Sequence, residues 1–409
     1  MFIPRVKKEK ELDKRLEIGK ALVYTSDNVN GDFAAEFLRI AVPSLEISAG
    51  YGGKLVFIED LSIEKGAYEI KNDVSHIVIS FSDREGARNA VATFVQMLRC
   101  SENGVFFVEC SDVSDLPDCK FRSVMIDLAR GVPDLQRLKE DLLRIALLKA
   151  THIHFHLMDT NGICYETEVF KQEQFPVGRP LLKKSEVKEL VQYCDALGLI
   201  VIPEIDVPAH ANGIINANPE IACRVPYANP SRYVVCAGNE ATYSVIEKLI
   251  DEIADLFPGP FIHVGGDELY FNDFPNGNNF CLWEDCEICR SAMVRERLSG
   301  KQELYYYFMR RLYNMVEAKG RRMILWNDEI DVSAPVPLPK DIIVQYFRIA
   351  NEYRGPNKGC SYSGFAEQGF SVINSDFTRC YVDMEEYANP EKTSSFCYYE
   401  FPSVFERYR

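Results

Sequence analysis

Short apolar runs alternate with amphipathic helical patterns through the chain from about residue 118 onward. The apolar runs predict strands at residues 123–127, 152–157, 199–204, 261–264, 323–326, 342–346 and 370–373, with residues 396–398 as an eighth candidate. Helical periodicity between them, such as the stripe from Leu135 to Leu148 behind the capping residue Asp134, predicts crossover helices. Repeated strand–helix units build parallel sheets, so the pattern predicts an α/β fold, a (β/α)8 TIM barrel.

The last unit of this predicted barrel is short. The barrel either closes within the chain or is completed by a partner subunit, and both alternatives stay open.

Residues 1–117 show a different pattern, with apolar runs at 55–58 and 77–80, a helical stripe at 87–98 and a polar linker at 111–119. We therefore predict a small N-terminal α/β domain over 1–117, followed by the barrel over 118–409.

Composition limits the classes of partner. The 409-residue chain carries a formal net charge of −15 without a basic cluster, so nucleic acid and anionic membrane surfaces would be repelled. No apolar run approaches the roughly 18 to 20 residues of a membrane-spanning helix, and residues 1–8 lack a secretory hydrophobic region. We expect a cytoplasmic protein without a membrane partner, and a homo-oligomer remains open.

The 13 cysteines are scattered and odd in number, which suits a reducing compartment better than a disulfide framework. Cys281, Cys286 and Cys289 have a spacing like that of a zinc knuckle. A structural zinc site needs four ligands, and no second close pair of cysteines follows in the sequence. The sequence therefore predicts no metal, and nothing in it calls for a cofactor.

One stretch of the sequence contains the strongest candidates for catalytic residues. The apolar run at 261–264 breaks at Gly265 and Gly266 and delivers the adjacent acids Asp267 and Glu268. Taken alone, this stretch could be a solvated turn. Polar and aromatic residues also end the other predicted strands, however, and the carboxyl ends of barrel strands meet on one face. A pocket of carboxylates, an arginine and flat aromatic rings suits a sugar.

The stretch His263–Glu268 is similar to the His-x-Gly-Gly-Asp-Glu signature of the family 20 glycoside hydrolases, the β-N-acetylhexosaminidases. Further matches follow in the order of that family at Asp127–Arg130, His154–Asp159, Val201–His210 and Trp326–Glu329. The resemblance covers most of the chain, because residues 1–117 also look like the module that precedes the barrel in that family.

The resemblance implies an exo-acting enzyme that removes terminal N-acetylglucosamine or N-acetylgalactosamine from oligosaccharides or glycoconjugates. Glu268 would be the general acid and base. Asp267 would polarise the 2-acetamido group of the substrate, whose carbonyl oxygen attacks the anomeric carbon and forms an oxazoline-type intermediate. Adjacent carboxylates fit this retaining, substrate-assisted route, since two neighbours cannot easily flank one glycosidic bond as acid and nucleophile.

The other implied roles concern binding. Arg130 would bind outer hydroxyls, Tyr381 the acetamido oxygen, and Trp326 would wall the acetamido pocket. Asp159 and His210 would support the two acids from behind. Each could instead be a structural group, because buried histidines and aromatic side chains are often ordinary core residues.

Departures from the family pattern give weight to a second function. Phe155 and Tyr346 stand where the family usually has tryptophan, and Ala209 where it has glycine. Tyr398 and Glu400 would replace the sugar-platform tryptophan and the hydroxyl-binding acid. The alternative is a non-catalytic glycan-binding homologue, although retention of both Asp267 and Glu268 favours the enzyme.

Overall fold

The computed structural model of the chain describes residues 2–160, 162–169, 181–226, 233–269, 281–348 and 361–381. Its first eight strands form one mixed sheet in the order β1-β8-β5-β6-β4-β2-β3, with β7 paired to β8. The strands are β1 Lys8–Gly19, β2 Ala21–Thr25, β3 Glu46–Ala49, β4 Leu55–Glu59, β5 Tyr68–Asn72, β6 Ile77–Phe81, β7 Leu98–Cys100 and β8 Phe106–Asp115. Helices α1 (Val29–Ala41) and α2 (Arg84–Met97) pack against each other and against strands of this sheet. The predicted N-terminal α/β fold is confirmed.

The predicted linker at 111–119 is wrong over its first half. Residues 111–115 are the end of β8 and pair with β1 and β5. Ser111, Val113 and Asp115 alternate onto the buried side of this strand. The polar composition was misleading about this segment, because a carboxylate can be buried in a strand when a cationic side chain pairs with it. Asp115 has such a partner.

That partner is Lys149, whose Nζ lies 2.8 Å from Asp115 Oδ2 and 2.8 Å from the Tyr68 hydroxyl. Tyr68 in turn donates to Asp115 Oδ2 at 3.0 Å. Burial lowers the pKa of Lys149 despite the nearby carboxylate, and although burial acts to raise the pKa of Asp115, the hydrogen bond from Lys149 keeps it low. Breaking a buried pair of this kind is costly because it leaves one charge uncompensated.

The second sheet has seven described strands in the order β17-β16-β15-β14-β13-β10-β9, and the neighbours from β13 to β17 run parallel. These strands are β9 Ser123–Asp127, β10 His152–His156, β13 Ile200–Glu204, β14 Phe261–His263, β15 Arg322–Trp326, β16 Ile343–Tyr346 and β17 Ser371–Asn374. Strands β11 (Met158–Asp159) and β12 (Gly162–Ile163) form a separate small hairpin. This curled parallel sheet fits the predicted barrel, and the predicted eighth strand at 396–398 lies outside the described residues.

Helices follow the strands as the helical periodicity predicts. They are α3 Leu135–Leu147, α4 Lys184–Ala196, α5 Asn212–Ala217, α6 Glu240–Leu256, α7 Glu287–Glu296, α8 Lys301–Ala318, α9 Tyr362–Glu367 and α10 Phe377–Cys380. Asp134 caps α3 as predicted, since its side chain accepts hydrogen bonds from the backbone of Gln136 and Arg137. None of the described helices combines the length and the apolar composition needed to cross a membrane.

The chain divides into two compact units. The first contains residues 1–125, 133–154 and 188–201, and the second contains residues 126–132, 155–187 and everything from Ile202 onward. The candidate site residues from Asp127 to Tyr381 all belong to the second unit. The predicted domain boundary between 117 and 118 stays a prediction.

Candidate active site

A glycine turn after β14 positions the two adjacent acids. Gly265 and Gly266 both have positive φ, +72° and +99°. A Cβ on Gly265 would lie 1.9 Å from Oδ1 of Asp206, so no other residue fits there. Trp326 N donates to Gly265 O at 2.9 Å, and the Tyr305 hydroxyl donates to Gly266 O at 2.8 Å. The turn is therefore held from two sides.

His210 contacts both acids through the same ring nitrogen. Its Nε2 is 3.3 Å from Glu268 Oε2 and 3.8 Å from Asp267 Oδ2. Its Nδ1 is 3.3 Å from Asp159 Oδ1, and Nε2 also lies 3.0 Å from the hydroxyl of Tyr233. The predicted support of both acids by His210 and Asp159 has a direct geometric basis.

The protonation of this cluster follows from burial and neighbouring charge. Burial raises the pKa of Asp267 to about 6, although the adjacent His210 acts to lower it. Burial and the charge of Asp267 raise the pKa of Asp206 well above its usual range. Burial alone would lower the pKa of His210, but Asp206, Asp159 and Glu268 raise it to about 12. Asp206 and Asp267 also share a hydrogen bond, which acts to lower the pKa of Asp267.

Arg130 is fixed by two carboxylates. It contacts Asp127 Oδ2 at 2.7 Å and Asp159 Oδ2 at 2.5 Å, and its backbone amide donates to Asp127 Oδ1 at 2.9 Å. The side chain of Arg130 is still 37% exposed, so its remaining donors face solvent. An arginine held in this way can bind sugar hydroxyls without losing much side-chain entropy on binding.

Glu204 links Trp326 to the barrel interior. Its Oε1 accepts from Trp326 Nε1 at 2.8 Å and lies 3.0 Å from His263 Nδ1, while Oε2 contacts His156 Nδ1. The indole of Trp326 also packs on His263 and on Phe347, with ring centroids 4.8 and 5.1 Å apart. The predicted wall residue is therefore held by both hydrogen bonding and packing.

Tyr346 and Tyr381, both predicted to bind substrate, have different packing partners in the structure. Tyr381 stacks on Phe347 at 6.2 Å, and burial together with the charge of Asp267 raises its pKa well above its usual range. Tyr381 is thus close to the catalytic candidates. Tyr346 packs edge-on against Tyr362 and Phe365 of α9. Its predicted role in substrate binding stays a prediction, as do those of Tyr398 and Glu400, which lie outside the described residues.

Arg348 and Phe347, which the sequence did not single out, also belong to the site, together with Asp328 from the Trp326–Glu329 match. Arg348 forms an ion pair with Glu268, and its Nε lies 3.6 Å from Asp328 Oδ2. Asp328 Oδ2 accepts from the backbone amide of Glu268 at 3.0 Å, and burial raises the pKa of Asp328 to about 7. Phe347, the residue after Tyr346, packs on Trp326. Successive residues of a strand face opposite sides, so the sequence pattern offers Tyr346 and Phe347 as alternatives without choosing between them.

The buried acids and histidines of the site also come close enough together to suggest metal ligation. Asp206, His210 and Asp267 can place ligand atoms within 4.8 Å of one another, as can His156, Asp159 and Asp206. A protonated imidazole cannot be a metal ligand, and the pKa of His210 is raised to about 12. Asp159 is already bound by Arg130 and His156, so these groups fit a hydrogen-bonded network better than a metal site.

Acidic side chains, one arginine and flat aromatic rings thus converge at the carboxyl ends of parallel strands. Two adjacent carboxyl groups differ in exposure, with 13% for Asp267 and 24% for Glu268. Titratable neighbours in different environments at the carboxyl face of a barrel define a candidate site for acid–base catalysis.

The chain belongs to the family described as glycosyl hydrolase family 20, catalytic domain, whose model matches residues 119–407. It is 26% identical over 314 residues to a beta-hexosaminidase of Porphyromonas gingivalis, a match that covers 70% of this chain and 39% of that protein. It is 27% identical over 359 residues to a beta-hexosaminidase of Vibrio furnissii, covering 81% and 55%. The chain therefore spans about half the length of these relatives or less.

Solved structures support the fold. An exo beta-N-acetylglucosaminidase from Vibrio harveyi, in complex with N-acetylglucosamine, matches with a TM-score of 0.79 and 22% identity over 91% of this chain and 60% of that one. A beta-N-acetylhexosaminidase from Bacteroides fragilis matches with a TM-score of 0.79 and 24% identity, over 93% and 76%. At these identities the likeness establishes the barrel with its preceding α/β domain.

Proposed function

We propose that the protein is an exo-β-N-acetylhexosaminidase that hydrolyses terminal N-acetylglucosamine or N-acetylgalactosamine with retention of configuration. The observation that carries this proposal is the placement of Asp267 and Glu268 at 3.8 and 3.3 Å from Nε2 of one histidine, His210. The two relatives from Porphyromonas gingivalis and Vibrio furnissii are beta-hexosaminidases, which agrees with this activity.

Glu268 is the proton donor and acceptor in the proposed reaction. It is the more exposed of the two acids, so a leaving-group oxygen can reach it. In the first step Glu268 protonates that oxygen as the glycosidic bond breaks, and in the second it takes a proton from the attacking water. His210 and the backbone contact from Asp328 fix its position.

Asp267 serves the acetamido group. Its carboxylate accepts the amide N–H of the substrate, which orients the carbonyl oxygen toward the anomeric carbon and offsets the positive charge of the oxazoline-type intermediate. The pKa of about 6 means that Asp267 is ionised at neutral pH, the form that this role requires. Trp326 and Tyr381, which both pack on Phe347, supply the wall of the acetamido pocket.

Arg130 supplies the specificity for the outer hydroxyls of the terminal sugar. It is charged at any relevant pH, because Asp159 and Asp127 raise its pKa although burial acts to lower it. A charged, pre-positioned guanidinium gives strong hydrogen bonds to hydroxyl oxygens. The exo mode of action follows if these outer hydroxyls must be free.

The test compares aryl β-N-acetylglucosaminide, β-N-acetylgalactosaminide and β-glucoside substrates on the purified protein. We expect turnover of the first two and none of the glucoside, which lacks the acetamido nucleophile. A series of substrates with increasingly fluorinated N-acetyl groups separates the mechanisms further. Rates should fall with each fluorine, because the carbonyl oxygen becomes a weaker nucleophile; a flat series would indicate an enzyme nucleophile instead.

If the protein is instead a non-catalytic glycan-binding homologue, the same substrates should not be hydrolysed. Such a protein would retain N-acetylhexosaminides in a binding assay without releasing the aryl group. None of the contacts among the described residues favours it over the enzyme.

A cytoplasmic location is part of the proposal as well, because the described cysteines form no disulfide with one another. Cell fractionation tests it. A homo-oligomer stays a prediction that sedimentation can check.

A further inference from the structure

Four buried cysteines from two separate segments of the chain meet in a cluster that contains none of the proposed catalytic residues. They are Cys223, Cys236, Cys286 and Cys289, and all four sulfur atoms lie within 4.8 Å of one another. The Sγ separations are 3.4 Å for Cys236 and Cys289, 3.7 Å for Cys223 and Cys289, and 3.8 Å for Cys236 and Cys286. A disulfide needs about 2.05 Å, so these are thiols.

The distances between the sulfur atoms match those of a tetrahedral metal site with four cysteine ligands. In a tetrahedral site with metal–sulfur bonds of about 2.3 Å, the sulfur atoms are about 3.8 Å from each other. A tetrahedron of four sulfur ligands is the arrangement that selects zinc or iron. A cluster of several irons would hold its cysteine sulfurs farther apart, since the inorganic core lies between them.

We propose that Cys223, Cys236, Cys286 and Cys289 bind one structural zinc ion. Four protein ligands fill a tetrahedral site and leave no open position, so the ion has a structural and not a catalytic role. The sequence suggested Cys281 as the third member of a knuckle, but the structure assigns this part to Cys223 and Cys236, which come from an earlier segment.

The backbone around the cysteines suits a charged metal site. Cys286 is the N-cap of α7 and Cys289 lies in its first turn. Zinc with four thiolates carries a formal charge of −2, and the positive end of a helix dipole favours negative charge. The opposite segment approaches closely, because a Cβ on Gly238 would lie 2.7 Å from Cα of Cys289. Cys236 is further fixed by donating its N–H to Ile221 O at 2.7 Å.

The ion would connect two loops of the proposed active site. The first segment leads from Cys223 to Cys236 and includes Tyr233, whose hydroxyl lies 3.0 Å from His210. The second begins at Cys281, beyond the turn that carries Asp267 and Glu268, and Trp283 donates to Val235 O at 2.8 Å across the two. Zinc would add four bonds to this junction and so stabilise the loop that holds His210.

The first experiment measures metal content. The full chain is produced in zinc-supplemented medium, passed into metal-free buffer and analysed by inductively coupled plasma mass spectrometry. We expect about one zinc per chain, and less than about one tenth in the double variant C286S/C289S. The matched control is C281S, which removes a buried cysteine of the same segment and should keep its zinc.

A second measurement covers the case in which the double variant does not fold. The native protein is titrated with a mercurial thiol reagent in the presence of a chromogenic zinc chelator, and the expected release is one zinc per chain. Cobalt added to the chelator-treated protein should give thiolate-to-cobalt charge-transfer bands, and zinc should abolish them. Native protein without zinc, zinc retained by a folded C286S/C289S variant, disulfides among these cysteines, or iron in place of zinc would each overturn the proposal.

Discussion

The charge of His210 should set the pH at which the enzyme loses activity in acid. In the native protein Asp267 has a pKa of about 6, and His210 is the largest charge that lowers it. The variant His210→Gln removes this positive charge and keeps a polar side chain. The pKa of Asp267 should then rise, because burial continues to disfavour the carboxylate and the opposing charge is gone.

The size of the shift follows from the distance. His210 Nε2 lies 3.8 Å from Asp267 Oδ2. Two unit charges at this separation interact by about 1 kcal/mol in water and by about 4 kcal/mol at an effective dielectric constant of 20. At 1.36 kcal/mol per pKa unit, the shift lies between about 1 and about 3 units.

The assay is the pH profile of kcat/KM on an aryl N-acetylglucosaminide, which reports the ionisation of the free enzyme. The native acid limb should lie near pH 6, and activity should fall below it as Asp267 is protonated. In His210→Gln the limb should move upward by at least about one unit. The matched control is Tyr233→Phe, which removes a hydrogen bond to His210 without a charge and should leave the limb in place. Coincident acid limbs in the native and His210→Gln proteins would refute this electrostatic account.

Three further predictions concern other parts of the molecule. Glu268→Gln should lower kcat by about 10²- to 10⁴-fold on substrates with poor leaving groups and less on activated aryl substrates, and equal losses on both would remove Glu268 from the acid role. Gly265→Ala should lower both the melting temperature and kcat/KM, because its Cβ would clash at 1.9 Å with a buried carboxylate; Gly320→Ala, with a similar φ of +66° and nothing within 4 Å, is the control in thermal melts. Lys149→Met should cost about 3 to 5 kcal/mol in urea unfolding. Removing the exposed ion pair of Lys71 by Lys71→Met should cost no more than about 1 kcal/mol, and equal costs would contradict a special role for burial.

Features encoded locally could be predicted from the sequence. The barrel strands predicted between residues 123 and 373, the helical stripes at 87–98 and 135–148 and the cap at Asp134 follow from periodicity and residue type, and they appear close to where they were expected. Other elements, such as β1 and α1, were not predicted. The linker prediction failed because its evidence was polarity alone. Asp115 is buried in a strand since its partner Lys149, 34 residues away, compensates its charge, and no local pattern shows such a partner.

The site was predictable to the level of strand ends, but not to the level of side-chain direction. His210 and Asp159 were expected to support the two acids; His210 contacts Glu268 and Asp159 contacts His210, while their roles in the reaction stay predictions. Tyr346 and Phe347 are adjacent aromatic residues at the end of one strand, and only the packing of Phe347 on Trp326 shows which one faces the site. The cysteine cluster could not be predicted from the sequence for a similar reason, because Cys236 and Cys286 are 50 residues apart and come together only in the folded chain.

Glu204 has a consequence for how sequences of this kind can change. Its two oxygens serve His156 on one side and Trp326 with His263 on the other, all of them buried. In evolutionary terms these four positions are epistatic, since replacing any one of them leaves a buried group whose contact must be restored elsewhere. Pocket engineering meets the same constraint. A designer who shortens Trp326 to admit a bulkier acyl group has to redesign Glu204 in the same step, so libraries that vary single positions should yield few folded variants there.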